Sequence, residues 1–162
     1  MGKVGVLIRL AEQRLELRDE GGHVLASYQV STALNGPGEA EGSGCTPRGR
    51  HVIRARIGAG APSGAVFRGR RPTGEVWTPE LAARFPERDW ILSRILWLSG
   101  CEPGRNRLGA VDTMRRYIYI HGTPDDQPTG VPLSHGCIRM RNCDVIELFE
   151  RVPVGTIVDI TG

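Results

Sequence analysis

Glycine and proline are spread along the whole of this chain, and they limit the length of any helix that it can form. The 162 residues include 22 glycines and 11 prolines, about one position in five, against roughly 12% in average proteins. Both residues are costly inside helices but suit the turns between short strands. Apolar residues make up 40% of the chain, which is enough for a core. The composition therefore favours a folded, β-rich protein over a helical bundle, a coiled coil or a disordered chain.

Apolar alternation predicts a hairpin near the N-terminus. Leu15 and Leu17 alternate with charged residues, residues 19–22 supply a turn, and residues 24–30 run back as a second strand. Residues 58–79 are rich in glycine and proline, and no element is predicted there. Further strand-sized apolar runs are residues 4–10, 51–57, 94–98, 117–120 and 154–160.

The last thirty residues carry the clearest helical signal. Apolar residues recur at helical spacing between residues 145 and 152, Asn142 is the predicted N-cap, and Pro153 ends the helix. A short helix over residues 79–85 is also predicted, with Thr78 as its cap. The sum is a single domain over residues 1–162. Its predicted fold is mainly β, a β-sandwich or partly closed barrel with one clear helix after the loop that ends at Cys137.

Charge and hydropathy bear on partners and compartment. The chain has 21 basic and 18 acidic residues, and this small excess gives no reason to expect a nucleic-acid partner. No apolar window approaches the roughly 20 residues that span a bilayer, so no membrane span is expected. The N-terminus lacks the apolar region of a secretory signal. We therefore expect a cytoplasmic protein if residue 1 is the true start, and a cell-envelope (periplasmic) one if the sequence is truncated. No cofactor is expected, and the oligomeric state is left open.

Two histidines and a cysteine lie in one short stretch that can carry chemistry. His121 ends a predicted strand, and the following loop closes with Ser134, His135, Gly136 and Cys137. A thiol becomes a useful nucleophile near neutral pH when a nearby imidazole or oriented N–H groups activate it. Either histidine can take its proton, and spacing alone does not choose between them. Gly136 permits the tight turn that would point consecutive amides at an oxyanion.

A structural metal site is an alternative use of the same stretch. Its four candidate ligands have side-chain types that suit zinc: His121, His135, Cys137 and Cys143. Their spacing matches no common zinc module. Outside such a site, Cys45, Cys101 and Cys143 have no surroundings comparable with those of Cys137, and they are predicted to be packing residues.

The stretch resembles the signature of the L,D-transpeptidase catalytic domain family, also called YkuD-type. Residues 121–123 (HGT) and residues 134–140 (SHGCIRM) carry the resemblance, which is highly specific because a His-Gly pair stands at the correct distance before a Ser-His-Gly-Cys block. Upstream, residues 45–51 (CTPRGRH) are similar to the Thr-Pro-x-Gly motif that leads into a strand in this family. The resemblance therefore covers most of the chain.

What the resemblance implies is a cysteine acyltransferase acting on peptidoglycan stem peptides or muropeptides. Cys137 would attack the carbonyl between the L-centre of diaminopimelate and the terminal D-alanine of a tetrapeptide, expel D-alanine and become a thioester. His121 would be the base, and the main-chain carbonyl of Gly122 would hold its ring in the working tautomer. The amides of His135, Gly136 and Cys137 would form the oxyanion hole. This division of labour is that of other nucleophile, base and orienter sites.

Two further residues are candidates for substrate binding. Arg139 departs from the most quoted form of the family pattern, which has Asn at that place. Its guanidinium could hold a substrate carboxylate with two hydrogen bonds, or it could brace the loop by pairing with Asp125 or Asp126. Ser134 is the second candidate, and its alternative role is to hold the loop through side-chain hydrogen bonds.

The acceptor of the acyl group stays open at this point. An amine of a second stem peptide would give the cross-link of a transpeptidase, whereas water would give the trimmed tripeptide of an L,D-carboxypeptidase in muropeptide recycling. A cytoplasmic location would favour the second outcome, because only soluble wall fragments and precursors occur there. A non-catalytic glycan-binding module is a more distant alternative.

Overall fold

In a computed structural model that describes residues 2–162, the chain forms ten strands, two α-helices and a short 3-10 helix at Gly109–Val111. The strands are β1 (Gly5–Arg9), β2 (Arg14–Arg18), β3 (Val24–Gln29), β4 (Gly49–Ile57), β5 (Ala65–Arg68), β6 (Arg71–Val76), β7 (Ile91–Gly100), β8 (Tyr119–Thr123), β9 (Ile138–Arg141) and β10 (Ile157–Thr161). The α-helices are α1 (Pro79–Arg84) and α2 (Asn142–Arg151). The prediction of a mainly β fold with one clear helix after Cys137 is confirmed.

All ten strands belong to one sheet that curls on itself. Along its main path the order is β3-β2-β1-β10-β4-β7-β5-β6, and β8 and β9 extend the sheet from the other edge of β7. Ser31, which follows β3, exchanges two main-chain hydrogen bonds of 2.9 Å with Arg139 of β9. These bonds connect the segment after β3 to β9 and so close part of the curl. The fold is therefore a partly closed barrel, one of the two architectures that the sequence predicts.

The two faces of the curled sheet build two separate apolar clusters, because side chains alternate along each strand. The inner face and α2 form the main core, with fully buried residues such as Leu96 on β7 and Ile120 on β8. Each such side chain stabilises the fold by about 1.5–3 kcal/mol relative to an exposed position. The opposite face of the same two strands carries a smaller cluster around Phe67, Ile95 and Tyr119. Cys137 packs against this second cluster, which places the candidate site on the outer face.

Three stretches differ from the sequence prediction. Residues 58–79 contain the β5–β6 hairpin, whose two-residue turn has Gly69 at φ 54° and Arg70 at φ 64°. Such a turn usually carries Asn-Gly or Asp-Gly, and without that signal the hairpin is not recognised. β8 begins at Tyr119 rather than at residue 117, so His121 lies inside the strand and not at its end. β9 is not predicted either, because four residues between a loop and a helix show no usable periodicity.

Both predicted helices are present. In α1, the Thr78 hydroxyl accepts a hydrogen bond of 3.1 Å from the Leu81 amide and caps the first turn, as predicted. In α2, Arg141 occupies the N-cap position, so the prediction of Asn142 as the cap is wrong. Asn142 lies in the first turn, where its side chain is buried. Within residues 2–162, neither helix is long and apolar enough to cross a membrane.

Candidate active site

The parallel pairing of β8 and β9 brings the predicted catalytic residues to one face of the sheet. Ile120 pairs with Ile138, and His121 pairs with Arg139. Because the two isoleucines point into the main core, the neighbouring His121 and Arg139 point to the outer face. Cys137 precedes Ile138 and therefore lies on the outer face, as His121 and Arg139 do. The structure therefore brings Cys137, His121 and Arg139 into one cleft of about 430 Å³.

The Cys137 thiol is held by main-chain groups in the free protein. Its Sγ accepts a hydrogen bond of 3.3 Å from the Tyr119 amide and donates one of 3.4 Å to the Tyr117 carbonyl. Burial raises the pKa of this thiol to about 12, and the hydrogen bond from Tyr119 offsets only part of that effect. At neutral pH the resting form of Cys137 is accordingly the protonated thiol.

The His121 ring is fully buried and fixed in one tautomer. Its Nδ1 lies 2.7 Å from the main-chain oxygen of Gly122. A carbonyl only accepts hydrogen bonds, so Nδ1 carries the proton and Nε2 carries the lone pair. Nε2 is buried and has no hydrogen-bond partner among residues 2–162. Burial also lowers the pKa of His121, which keeps the ring neutral at pH 7.

Sequence spacing leaves two histidines as candidate bases, and their environments in the structure differ. His121 is buried behind the cleft, whereas His135 is exposed at its rim. In this structure the thiol of Cys137 donates to Tyr117 and not to His121, whose Nε2 remains unpartnered. Catalytic hydrogen bonds are often loose in a free enzyme and tighten with substrate. Both the thiol of Cys137 and the His121 ring line the same cleft.

Side chains far apart in sequence brace the loop that presents Cys137. The buried Ser134 hydroxyl donates to the Cys137 carbonyl at 2.6 Å and accepts from the Gly136 amide at 3.2 Å. Thr46, from the Thr-Pro segment, donates to the Gly136 carbonyl at 2.9 Å. Gly136 has φ 134°, a conformation that other residues rarely adopt. These contacts give Ser134 a loop-holding role. Ser134 also lines the cleft, so its contact with a substrate stays a prediction.

Gly122 is required by close packing around the buried histidine. A Cβ atom at this position would lie 2.6 Å from the Leu92 carbonyl oxygen and 2.5 Å from Oδ1 of Asn142. Asn142 also donates to the Thr123 carbonyl at 2.9 Å and to Asp125 at 3.0 Å. Its buried amide thus holds the strand end next to His121, which explains why it is not available as the helix cap.

Arg139 pairs with a carboxylate that the sequence does not single out. Its Nη2 lies 3.3 Å from Oδ1 of Asp89, in the loop before β7. The alternative of a pair with Asp125 or Asp126 is therefore wrong, and Asp125 instead accepts from Asn142. The Arg139 side chain is 14% exposed and that of Asp89 is 48% exposed. The guanidinium is thus positioned inside the cleft while its partner reaches it from the solvent side.

The zinc alternative finds no support in the geometry. Among residues 2–162, no three His, Cys, Asp or Glu side chains lie close enough together to hold a metal ion. Cys143 is exposed at the start of α2, so its predicted packing role is wrong. Cys45 and Cys101 are partly buried.

Three cleft residues were beyond the reach of sequence reasoning. Asp89 pairs with Arg139, Arg70 donates to the Tyr119 hydroxyl at 3.0 Å, and Arg116 donates to the Cys45 carbonyl at 2.6 Å. All three line the cleft beside Cys137. Lys3 is the only lysine, so arginine supplies almost all of the positive charge. Because arginine is frequent along the whole chain, the sequence does not single out Arg70 or Arg116.

Comparison with known proteins points to one family. A family model described as the L,D-transpeptidase catalytic domain (YkuD) matches residues 3–160. The probable L,D-transpeptidase YbiS of Escherichia coli K12 is 54% identical over 89 residues, which are 54% of this chain and 28% of that protein. The putative L,D-transpeptidase YqjB of Bacillus subtilis 168 is 48% identical over 52 residues, 32% of this chain and 30% of that protein. The matched stretches thus span less than a third of the length of either relative.

Solved structures share the fold at low sequence identity. L,D-transpeptidase 3 of Mycobacterium tuberculosis, in complex with a faropenem-derived adduct, superposes with a TM-score of 0.60 at 15% identity, over 99% of this chain and 61% of that chain. Bd1075 of Bdellovibrio bacteriovorus superposes with a TM-score of 0.59 at 14% identity, over 99% of this chain and 47% of that chain. The likeness lies in the architecture of the curled sheet.

Proposed function

Because this chain belongs to the YkuD family of L,D-transpeptidase catalytic domains, we propose that it is a cysteine acyltransferase acting on peptidoglycan stem tetrapeptides. It releases the terminal D-alanine, keeps the shortened peptide as a thioester on Cys137 and passes it to an amine. The observation that carries the proposal is the buried Nε2 atom of His121, which has no hydrogen-bond partner among residues 2–162. His121 lines the same cleft as Cys137. An unpaired buried nitrogen is costly for stability, so its retention fits a catalytic use.

The first step joins the thiol to the substrate carbonyl. The Cys137 side chain rotates away from the Tyr117 carbonyl, and His121 Nε2 takes the thiol proton as Sγ attacks the carbonyl carbon of diaminopimelate. The imidazolium that forms keeps its other N–H on the Gly122 carbonyl, which fixes the ring during the transfer. Base and nucleophile are both neutral beforehand, so attack and proton transfer occur together.

The second step expels D-alanine. The amides at residues 135–137 stabilise the oxyanion, and that of Gly136 exchanges its bond to Ser134 for one to the substrate. His121 gives its proton to the departing amine as the C–N bond breaks. The leaving D-alanine therefore lies beside His121. Arg139 pairs with His121 across β8 and β9, and its guanidinium binds the D-alanine carboxylate. An acceptor amine then attacks the thioester, and His121 takes a proton from that amine. His121 passes the proton to the Cys137 thiolate as the thioester bond breaks.

Product analysis tests the reaction. We expect the protein, incubated with a disaccharide tetrapeptide, to release D-alanine and to form a cross-linked dimer, both detectable by mass spectrometry. Release of D-alanine with tripeptide alone would replace the amine acceptor by water and identify an L,D-carboxypeptidase. Absence of both products would contradict the proposed function, and wall binding that is unaffected by loss of Cys137 would favour a glycan-binding module.

The Asp89–Arg139 pair gives a prediction about substrate affinity. If Arg139 holds the D-alanine carboxylate, Asp89 competes for the same guanidinium. We expect Asp89→Asn to lower KM for the tetrapeptide by about 2- to 5-fold with little change in kcat, because a partly exposed ion pair is worth about 0.2–1 kcal/mol. Asp126→Asn, at an exposed carboxylate that does not contact Arg139, is the matched control. A rise in KM for Asp89→Asn would instead make Asp89 a support for Arg139.

A further inference from the structure

Arg70 presents a second guanidinium to the cleft, on the side away from Arg139. Its Cζ lies 4.9 Å from the centre of the Trp97 ring and 4.7 Å from that of Tyr117, and its Nη1 donates to the Tyr119 hydroxyl at 3.0 Å. Trp97 pairs with Tyr119 across the sheet, and Tyr117 precedes β8. Arg70 therefore rests near the beginning of β8, whereas Arg139 is paired with His121 further along the strand.

The guanidinium of Arg70 is held firmly but is not neutralised. Among residues 2–162 it forms no ion pair with a carboxylate, and its charged form is favoured by the Tyr119 hydroxyl. The two rings hold the guanidinium by cation–π contacts, and its single hydrogen bond to Tyr119 leaves other N–H donors for a ligand. Aromatic rings also displace water from one face, which strengthens a hydrogen bond to an anion. Such an arrangement suits the capture of a carboxylate with two parallel hydrogen bonds.

We propose that Arg70 is a specificity-determining residue that binds the side-chain carboxylate of diaminopimelate in the acyl donor. This inference rests on the proposed function, in which the departing D-alanine occupies the end of the cleft beside His121 and Arg139. The retained part of the peptide then extends towards the beginning of β8, where Arg70 lies. The side-chain carboxylate belongs to the diaminopimelate residue that acylates Cys137, so it stays on the retained side of the scissile bond. The two arginines thereby hold the two sides of the scissile bond.

The test separates binding from turnover. Affinity is measured by calorimetry in the Cys137→Ala protein with two tetrapeptides, one with a free diaminopimelate side-chain carboxylate and one with a carboxamide there. We expect the carboxylate peptide to bind about 10- to 100-fold more tightly, because it keeps a hydrogen-bonded charge pair that the carboxamide lacks. Adding Arg70→Gln should remove this preference while leaving the affinity for the carboxamide peptide nearly unchanged.

Matched variants guard against a merely structural effect. Arg68→Gln removes a charge from the same hairpin at an exposed position outside the cleft and should keep the preference. Arg70→Lys keeps the charge without the planar fork, so an intermediate preference is expected. Equal binding of both peptides to the parent protein, or an equal loss for both peptides in Arg70→Gln, would overturn the inference. No release of D-alanine by the protein with an intact thiol, despite preferential binding, would overturn the proposed function alone.

Discussion

Cys137→Ala is expected to stop the release of D-alanine from a stem tetrapeptide, with a loss of at least about 1,000-fold in kcat. Removing the nucleophile of an acyltransferase eliminates the covalent route and leaves only the residual catalysis of binding and oxyanion stabilisation. None of the other three cysteines lines the cleft, so none can take over. Turnover followed by mass spectrometry, together with the intact mass after exposure to a carbapenem, measures both the reaction and the acylation of the thiol.

The fold should survive this change, because Cys137 is only partly buried and alanine fits the same loop conformation. Ser134 and Thr46 hold the loop through main-chain carbonyls, which the substitution leaves in place. Cys143→Ala, at an exposed thiol, is the matched control and should keep full activity and full acylation. Wild-type turnover in Cys137→Ala, or a carbapenem adduct of unchanged yield, would disprove the assignment of the nucleophile.

The sequence predicts those strands and helices whose apolar residues form a local periodic pattern. Alternation of Leu15 and Leu17 identifies β2, and the spacing of apolar residues identifies α2, because each pattern reports which face of an element is buried. The His121 and Cys137 motifs lie close enough together in the sequence to be read as one site. Their shared face depends on β9, whose four residues are too few to show a period.

Residues that reach the site through the tertiary fold escaped sequence reasoning. Arg70 enters from the turn of a hairpin, and Asp89 enters from a loop almost fifty residues before Cys137. The residues next to them in the sequence form no recognisable motif, because the role of Arg70 and Asp89 depends on how the sheet curls. Asn142 shows the opposite error. It carries a strong local signal for a helix cap, but the close approach of Gly122 and the carbonyl of Thr123 draw its amide inward.

The electrostatics of the free site define how the thiol is activated. Burial disfavours charge on both partners, because it raises the pKa of Cys137 to about 12 and lowers the pKa of His121. Asp89 opposes a thiolate and favours an imidazolium, whereas Arg139 and Arg116 act in the other direction on Cys137. The resting cleft thus holds a neutral thiol and a neutral imidazole. Proton transfer to His121 belongs to the reaction itself and does not precede it.

This resting state predicts a distinctive pH dependence and a large effect of His121→Gln. In the wild-type protein, acylation should fall only below pH 6.5, where the imidazole of lowered pKa becomes protonated, and should stay flat between pH 7 and 9. His121→Gln should be slower by about 100- to 10,000-fold at pH 7, since only the thiolate can then react. Its rate should rise about tenfold per pH unit up to pH 9, because the thiol pKa lies far above that range. Stopped-flow acylation by a carbapenem measures both profiles, with the melting temperature as the check on folding. A wild-type rate that climbs between pH 7 and 9 would show that His121 is not the base.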